Sequence, residues 1–321
     1  MGEALDCLVI GGGPAGLTAA IYLGRFLRSV RVIDKGLSRA EWIPQSHNLP
    51  GFPDAVAGHV LLKRMRAQAQ LYGAVVTSGD VERLDWGADG LFVAQGSWGR
   101  HPGLRRPDDP GLRDSISART VLLATGVIEN QPPVPNMADA VRRGLIRTCP
   151  ICDGFESRGK HVGVLGLGEH AAAEALFLRT YTHRLSLLLV GATDTLSKDT
   201  KSKLAAQDIA VSHVGPGAVK LEQDGATALT AEDGQVHHLD IIYSAFGTTP
   251  QTSLVERLGA KMDEDGRLRV DPHQQSSIDG LYAAGDVVRG LNQISVAHGE
   301  AAIAATAIHN RLKQRGESEP R

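Results

Sequence analysis

The sequence predicts an α/β protein with two nucleotide-binding-type domains. Three observations carry that reading. Strand-like and helix-like segments alternate along the chain, the pattern of sheets covered by helices. Residues 7–34 run strand, glycine-rich turn, apolar helix, strand, and residues 161–190 repeat that order; each looks like the opening βαβ unit of a Rossmann-type domain. The chain has 321 residues, room for two domains of about 100–200 residues each.

Composition narrows the class. Apolar residues make up 42% and charged residues 22%, an ordinary globular balance. A net charge of −2 provides no basic field for nucleic acid or an anionic membrane. No basic region with a cleavage site precedes the strand Asp6-Cys7-Leu8-Val9-Ile10, and Asp6 stands where a myristoylation signal wants Ser or Thr. No apolar run approaches the ~18 residues of a membrane span, so a soluble, cytoplasmic protein is expected. The cysteines are Cys7, Cys149 and Cys152, too few and too odd in number for a disulfide framework. Cys7, inside an apolar strand, reads as a small buried hydrophobe.

The first glycine-rich turn, Gly11-Gly12-Gly13-Pro14-Ala15-Gly16, follows the strand Leu8-Val9-Ile10 and opens a helix over residues 15–23. The next strand, Val30-Arg31-Val32-Ile33, ends at Asp34, near the expected ~20-residue offset of a dinucleotide site. Gly11 makes the tight turn, Gly13 admits the pyrophosphate and Gly16 permits close helix packing. The helix start offers free N–H groups to phosphate, and Asp34 would accept from a ribose. Residues 96–115, dense in Pro and Gly, read as a surface hairpin insertion in this domain. In the C-terminal third, the apolar run over residues 281–287 carries Gly285-Asp286, and an Ala-rich helix is expected over residues 293–310, with a polar, frayed tail from Lys313. A carboxylate at such a strand end can meet a ribityl hydroxyl, and the helix start can stabilise negative charge on a reduced flavin.

Cys149-Pro150-Ile151-Cys152 is a Cys-x-x-Cys motif. Two thiols at this spacing can close a small disulfide ring, and a helix start lowers a thiolate pKa. Thiol–disulfide exchange also needs a proton source, and Asp153 is the candidate, with Glu156 just beyond. Half of a zinc site is the competing reading; it would need two further ligands at close spacing, and the nearest histidines, His161 and His170, lie in or after a predicted strand. A purely structural pair is the third reading.

The combination of Gly11-Gly12-Gly13-Pro14-Ala15-Gly16, Ala124-Thr125-Gly126 and Ala283-Ala284-Gly285-Asp286 resembles the flavoprotein disulfide reductases. Cys149-Pro-Ile-Cys-Asp153-Gly154, placed just before the second glycine-rich unit, closely resembles the Cys-x-x-Cys-Asp-Gly motif of the low-molecular-weight thioredoxin reductases. The segment from Ser46 to Pro53 is similar to that family's flavin-proximal loop. The resemblance spans residues 6 to about 310. It implies an FAD domain over residues 1–127 and 251–321, split around an inserted NAD(P)-type domain over residues 128–250. It implies FAD at Gly11, Gly13, Pro14, Ala15, Gly16, Asp34, Lys35, Asn48, Val81, Thr125, Gly126 and Gly285, with Asp286 at the ribityl chain and Asn292, Gln293 and Ile294 by the isoalloxazine ring. Cys152 would face the flavin, Cys149 would attack a partner disulfide and Asp153 would be the general acid. A homodimer, a rotation between domains, and a thioredoxin-like protein or small dithiol/disulfide as partner complete what the resemblance implies.

The second turn, Gly166-Leu167-Gly168-Glu169-His170-Ala171, follows the strand Val162-Gly163-Val164-Leu165. In the family this site holds NADPH, whose 2′-phosphate wants basic groups after the next strand. Here that place reads Val190-Gly191-Ala192-Thr193-Asp194, without arginine or histidine, and an NADH-type acid is missing at the strand end. Glu169 adds negative charge where a pyrophosphate would lie. A donor other than NADPH is expected, with reduced ferredoxin or a second flavin in part of this site among the options. The run from Gly290 to Ala297 is most similar to deep-branching bacterial and cyanobacterial forms. A dithiol oxidase passing electrons to oxygen and a non-catalytic flavoprotein redox sensor stay open, although related dithiol oxidases usually carry His where this chain has Asp153. His298, on the C-terminal helix, reads as a packing residue or a flavin-tuning one; His47 reads as a flavin neighbour or an exposed loop residue.

Overall fold

The structure, a computed structural model, describes residues 3–98, 114–130, 137–191, 195–215, 219–221, 227–230, 234 and 236–316. The chain divides into two compact units. The first comprises Met1–Glu41, Gly58–Ile128 and Thr249–Arg321, and the second comprises Trp42–Ala57 and Glu129–Thr248. Trp42–Ala57, assigned by the sequence to the first domain, thus groups with the second unit.

In the first unit, β1 (Leu5–Ile10), α1 (Pro14–Arg25) and β2 (Val30–Asp34) form the expected βαβ opening. They are followed by α2 (Gly58–Leu71), β3 (Val75–Trp86), β4 (Phe92–Trp98) and β5 (Asp114–Leu123). β3 and β5 are long, and each joins a parallel and an antiparallel part of one six-stranded sheet. Residues 75–78 of β3 run parallel to β2, while residues 79–86 pair antiparallel with β4. Residues 114–118 of β5 pair antiparallel with β4, and from Ala118 onward the strand runs parallel to β1 and to the strand Leu281–Ala283. β4 and β5 are therefore the hairpin arms of the expected insertion, whose tip over residues 99–113 lies outside the described residues.

Side chains alternate across a strand, and β1 shows the consequence. Cys7 and Val9 point into a core with α1 and the C-terminal helix Ile294–Gln314; Leu8 and Ile10 point to the opposite face, among Phe92, Trp98 and Ile116 of the antiparallel layer. The result is three layers: helices, parallel sheet and antiparallel meander. The apolar face of the C-terminal helix continues through Ile308 and Leu312, both fully buried. For that reason the helix, expected over residues 293–310, runs on to Gln314; most of the tail expected to fray, residues 317–321, lies outside the described residues.

The second unit is a five-stranded parallel sheet in the order Ala210–Val214, Leu185–Val190, Val162–Gly166, Ile241–Ala245, Ile146–Arg147. Its three inner strands are hydrophobic on both faces, as a covered parallel sheet requires. Val162, Val164, Leu187 and Tyr243 meet the helix Gly168–Leu178, whereas Leu165, Leu188 and Ile242 meet Ala140, Val141 and Leu239. Among the described residues, no helix is long and apolar enough to cross a membrane.

Candidate active site

The first unit builds a cradle around the turn between β1 and α1. Gly11 has φ +109°, and a Cβ placed on it would stand 2.2 Å from the Ala124 carbonyl oxygen. A Cβ on Gly16 would stand 1.9 Å from the Gly11 carbonyl. No other residue fits these positions without displacing backbone. Gly13 is the N-cap of α1, Pro14 fills the first turn and Ala15 is buried. No side chain caps this helix start and no acid lies in its first turn, which leaves its N–H groups to a phosphate.

Asp34 closes the cradle at the end of β2. Its Oδ1 accepts from the Gly12 and Gly36 backbone N–H groups at 3.3 and 3.0 Å, and Arg66 Nη2 donates to its Oδ2 at 2.5 Å. A carboxylate holds about four lone-pair sites, so Oδ2 retains capacity for a ribose hydroxyl. Lys35 reaches Asp80 instead, at 2.5 Å, and stays exposed. The side chain of Val81 packs into the antiparallel core, beside a bulge in β3.

At the other end, Thr125 donates to the Gln251 carbonyl at 2.6 Å and Gly126 takes φ +66°. The strand Leu281–Ala283 stops short of the expected residue 287 because Gly285 turns to φ +82°. Gly285 N–H is held by Glu300 at 2.8 Å. The Asp286 carboxylate lies 3.3 Å from Arg39, and burial pushes its pKa up against the pull of that guanidinium. Arg267 donates to the Asp286 carbonyl and to Asn292 Oδ1. Gln293 is the N-cap of the C-terminal helix and Ile294 its first residue, without a side-chain cap. Two uncapped helix starts, a glycine cradle, and an acid at each strand end fit a flavin dinucleotide with its phosphates, ribose and ribityl chain. His298, half-buried one turn later, is pushed toward its neutral form by burial, and its Nε2 is enclosed without a hydrogen-bond partner.

In the second unit, Cys149 and Cys152 are joined as a disulfide, with Cα atoms 5.3 Å apart. Cys149 is extended, Pro150 begins a single helical turn, and Cys152 N–H donates to the Cys149 carbonyl at 3.0 Å. Proline suits the first helical position because its fixed φ matches and its missing N–H is not needed there. Asp153 follows. Tyr243 donates to its Oδ1 at 2.7 Å, and Arg147 lies 3.6 Å from its Oδ2. Burial raises the Asp153 pKa, and Arg147 and Tyr243 oppose that rise. A carboxyl so placed can carry a proton at higher pH than a free one. His47 lies 3.9 Å from Glu156, and Asn48 Nδ2 donates to the Ile151 carbonyl between the two cysteines at 3.4 Å. Among the described residues, no group of three or more metal-ligating side chains converges, and both sulfurs of the half-site considered for zinc are spent on each other.

At the second glycine-rich turn, Glu169 stands in the first turn of the helix Gly168–Leu178. Its Oε1 accepts from Ser197 N–H and its Oε2 from Thr200 Oγ1, both at 2.6 Å, so that it braces Ser197, the N-cap of the next helix, Lys198–Ala206. These bonds hold its pKa below the usual range. At the strand end, His213 from the neighbouring strand brings Nδ1 to 2.9 Å from the Gly191 carbonyl.

Comparison with known proteins agrees with this arrangement. The model of the pyridine nucleotide-disulphide oxidoreductase family matches residues 5–301. The chain belongs to that family. It is 27% identical to the thioredoxin reductase of Bacillus subtilis strain 168, over 96% of this chain and 95% of that one. It also resembles the crystal structure of thioredoxin reductase from Streptococcus pyogenes, with a TM-score of 0.83, 27% identity and coverage of 97% and 99%. The atypical thioredoxin reductase TRi from Desulfovibrio vulgaris Hildenborough is 31% identical, with a TM-score of 0.52 and coverage of 96% and 98%. The chain is an FAD-dependent disulfide oxidoreductase of the thioredoxin-reductase type.

Sequence reasoning missed Arg66, Arg39, Arg267, Arg147, Tyr243 and His213. Each reaches its partner from a separate element, and no local motif marks it.

Proposed function

We propose that this protein passes electrons between FAD and a thioredoxin-like protein or small disulfide through Cys149 and Cys152, drawing on a donor other than NADPH. The disulfide closed next to a half-buried carboxyl at Asp153, whose pKa burial raises, is the observation that carries this reading. FAD, when bound, supplies two-electron redox chemistry. Gly11, Gly13, Pro14, Ala15 and Gly16 would hold its phosphates, Asp34 its ribose and Asp286 its ribityl chain. Thr125, Gly126 and Gly285 would border it, with Asn292, Gln293 and Ile294 at the ring. Lys35, Asn48 and Val81 complete the set by resemblance.

In the reduced pair, the Cys149 thiolate attacks one sulfur of the partner disulfide. The partner S–S bond breaks, a mixed disulfide forms, and the departing thiolate takes the proton of Asp153. The Cys152 thiolate then attacks the Cys149 sulfur, expels the second partner thiolate and restores the internal disulfide. Two electrons have moved to the partner. Exposed Ile151 and Phe155 flank the pair and offer apolar surface to a docking protein.

Two features of the second turn support the donor assignment. Gly191 offers no side chain for a 2′-phosphate or a ribose, and Glu169 places a negative side chain in the first turn of the helix Gly168–Leu178, whose N–H groups a phosphate would otherwise use. Cys149→Ser should abolish disulfide turnover while the protein stays yellow; retained turnover would overturn the role of Cys149. Anaerobic titration with NADPH, NADH and reduced ferredoxin, followed by flavin bleaching, tests the donor. Rapid bleaching by NADPH would overturn that part alone.

A further inference from the structure

Tyr243 carries a hydroxyl where packing asks only for a ring. It sits on the strand Ile241–Ala245, fully buried in an apolar cluster with Val162, Val164 and Leu187. A hydroxyl in such a place is costly unless it is hydrogen-bonded. The hydroxyl meets Asp153 twice, at Oδ1 at 2.7 Å and at the carbonyl at 3.1 Å, and Arg147 also acts on it. Its cross-strand partner in the parallel sheet is Arg147. Arg147 treats Asp153 in the same way, with Nη1 donating to the carbonyl at 2.8 Å and standing 3.6 Å from Oδ2. Two neighbours in register thus divide the carboxylate between them, one oxygen each.

We infer that Tyr243 and Arg147 are positioning residues that fix the orientation of the Asp153 carboxyl and stabilise its charged form. The inference rests on the reading of Asp153 as the proton source. Four groups act on this carboxyl besides burial. Arg147, Tyr243 and His47 favour its charge, and Glu156 opposes it. Burial and Glu156 push the carboxyl toward its protonated form. The two donors oppose that push and hold the side chain in one orientation. The phenol remains a donor throughout, because burial and the adjacent carboxylate push its own pKa upward.

The test uses the full-length, flavin-loaded protein. One readout is the Asp153 titration followed by carboxyl-carbon NMR. The other is the pH profile of single-turnover exchange between the reduced pair and a small aryl disulfide. Tyr243→Phe keeps the ring and removes the donor. It should move the Asp153 titration and the matching limb of the profile upward by about one to two pH units, the size of one hydrogen bond to a charged group. Flavin content should not change. Arg147→Gln should move both in the same direction, and Arg147→Lys should recover part of the shift. With Asp153→Asn in place, Tyr243→Phe should add nothing. An unmoved titration in Tyr243→Phe, or an equal effect of Tyr243→Phe with and without Asp153, would make Tyr243 a packing residue and overturn the inference. If Asp153→Asn instead leaves exchange unchanged, the acid assignment fails by itself; the NMR titration still decides whether Tyr243 sets the carboxyl.

Discussion

At the first glycine-rich turn, an acid stands at the end of the adjacent strand and the helix start is open. At the second, Gly191 follows the strand and the acid lies inside the turn, where Glu169 binds Ser197 and Thr200 at the start of the next helix. The two turns share one close approach: a Cβ on Gly11 would meet the Ala124 carbonyl at 2.2 Å, and one on Gly166 would meet the Ala245 carbonyl at 2.2 Å, although Gly11 takes a positive φ and Gly166 does not. The third glycine of the first turn, Gly16, is replaced in the second by Ala171, fully buried. The fold therefore supplies the same strand–turn–helix shape twice. What binds there is decided by a few side chains at the strand end and in the first helical turn.

The sharpest way to break this comparison is to damage both turns equally. Gly11→Ala and Gly166→Ala each place a methyl carbon 2.2 Å from a backbone oxygen. Gly11 adds the strain of φ +109°. Overpacking of this kind costs about 1–3 kcal/mol or more, which in binding is roughly a tenfold to hundredfold loss. Gly11→Ala should purify with little flavin. Gly166→Ala should lower the melting temperature of the second unit yet keep its yellow colour. The flavin-to-protein absorbance ratio decides; equal loss in both variants would remove the distinction drawn between the two turns.

A smaller effect is expected at Asp34. Asp34→Ala leaves the Gly12 and Gly36 N–H groups and Arg66 without their acceptor and removes the ribose contact. Hydrogen bonds to a charged group are worth about 1.5–3 kcal/mol, so the affinity of the apoprotein for FAD should fall roughly tenfold to a hundredfold. Fluorescence titration measures it directly. A loss below twofold would show that Asp34 serves the turn and not the ligand.

Much of the first site was legible because its determinants are contiguous. Six residues from Gly11 to Gly16 and one acid at the end of β2 fall within a single βαβ unit, and periodicity places them. The Cys-x-x-Cys pair was legible for the same reason. What stayed hidden is whatever the tertiary fold assembles from afar. Arg39 meets Asp286 from 247 residues away, and Tyr243 meets Asp153 from 90. Neither pairing leaves a local pattern. Glu169 shows the same limit: the sequence places its charge in the turn but not its partners, Ser197 and Thr200, which lie 28 and 31 residues on. The C-terminal helix runs past its expected end at residue 310 because its apolar stripe continues through Leu312.

The smallest expected effect completes the comparison. Glu169→Gln keeps the shape of the second turn and removes its charge. The bonds from Thr200 and Ser197 hold the Glu169 carboxyl below its ordinary value of 4.5. A depressed carboxyl stabilises the fold above its unfolded pKa, and that contribution disappears as pH falls through the folded value. The parent should therefore melt slightly above Glu169→Gln at neutral pH, and the two curves should converge below about pH 4.5, where the parent carboxyl takes up its proton. Because Glu169 is exposed, the gap should shrink in high salt. If Glu169→Gln also gains measurable affinity for NADPH or NADH by direct binding, the acid is a gate at the second turn. If only the melting curve moves, it is a cap, and the missing side chain at Gly191 alone accounts for the loss of the nucleotide signal.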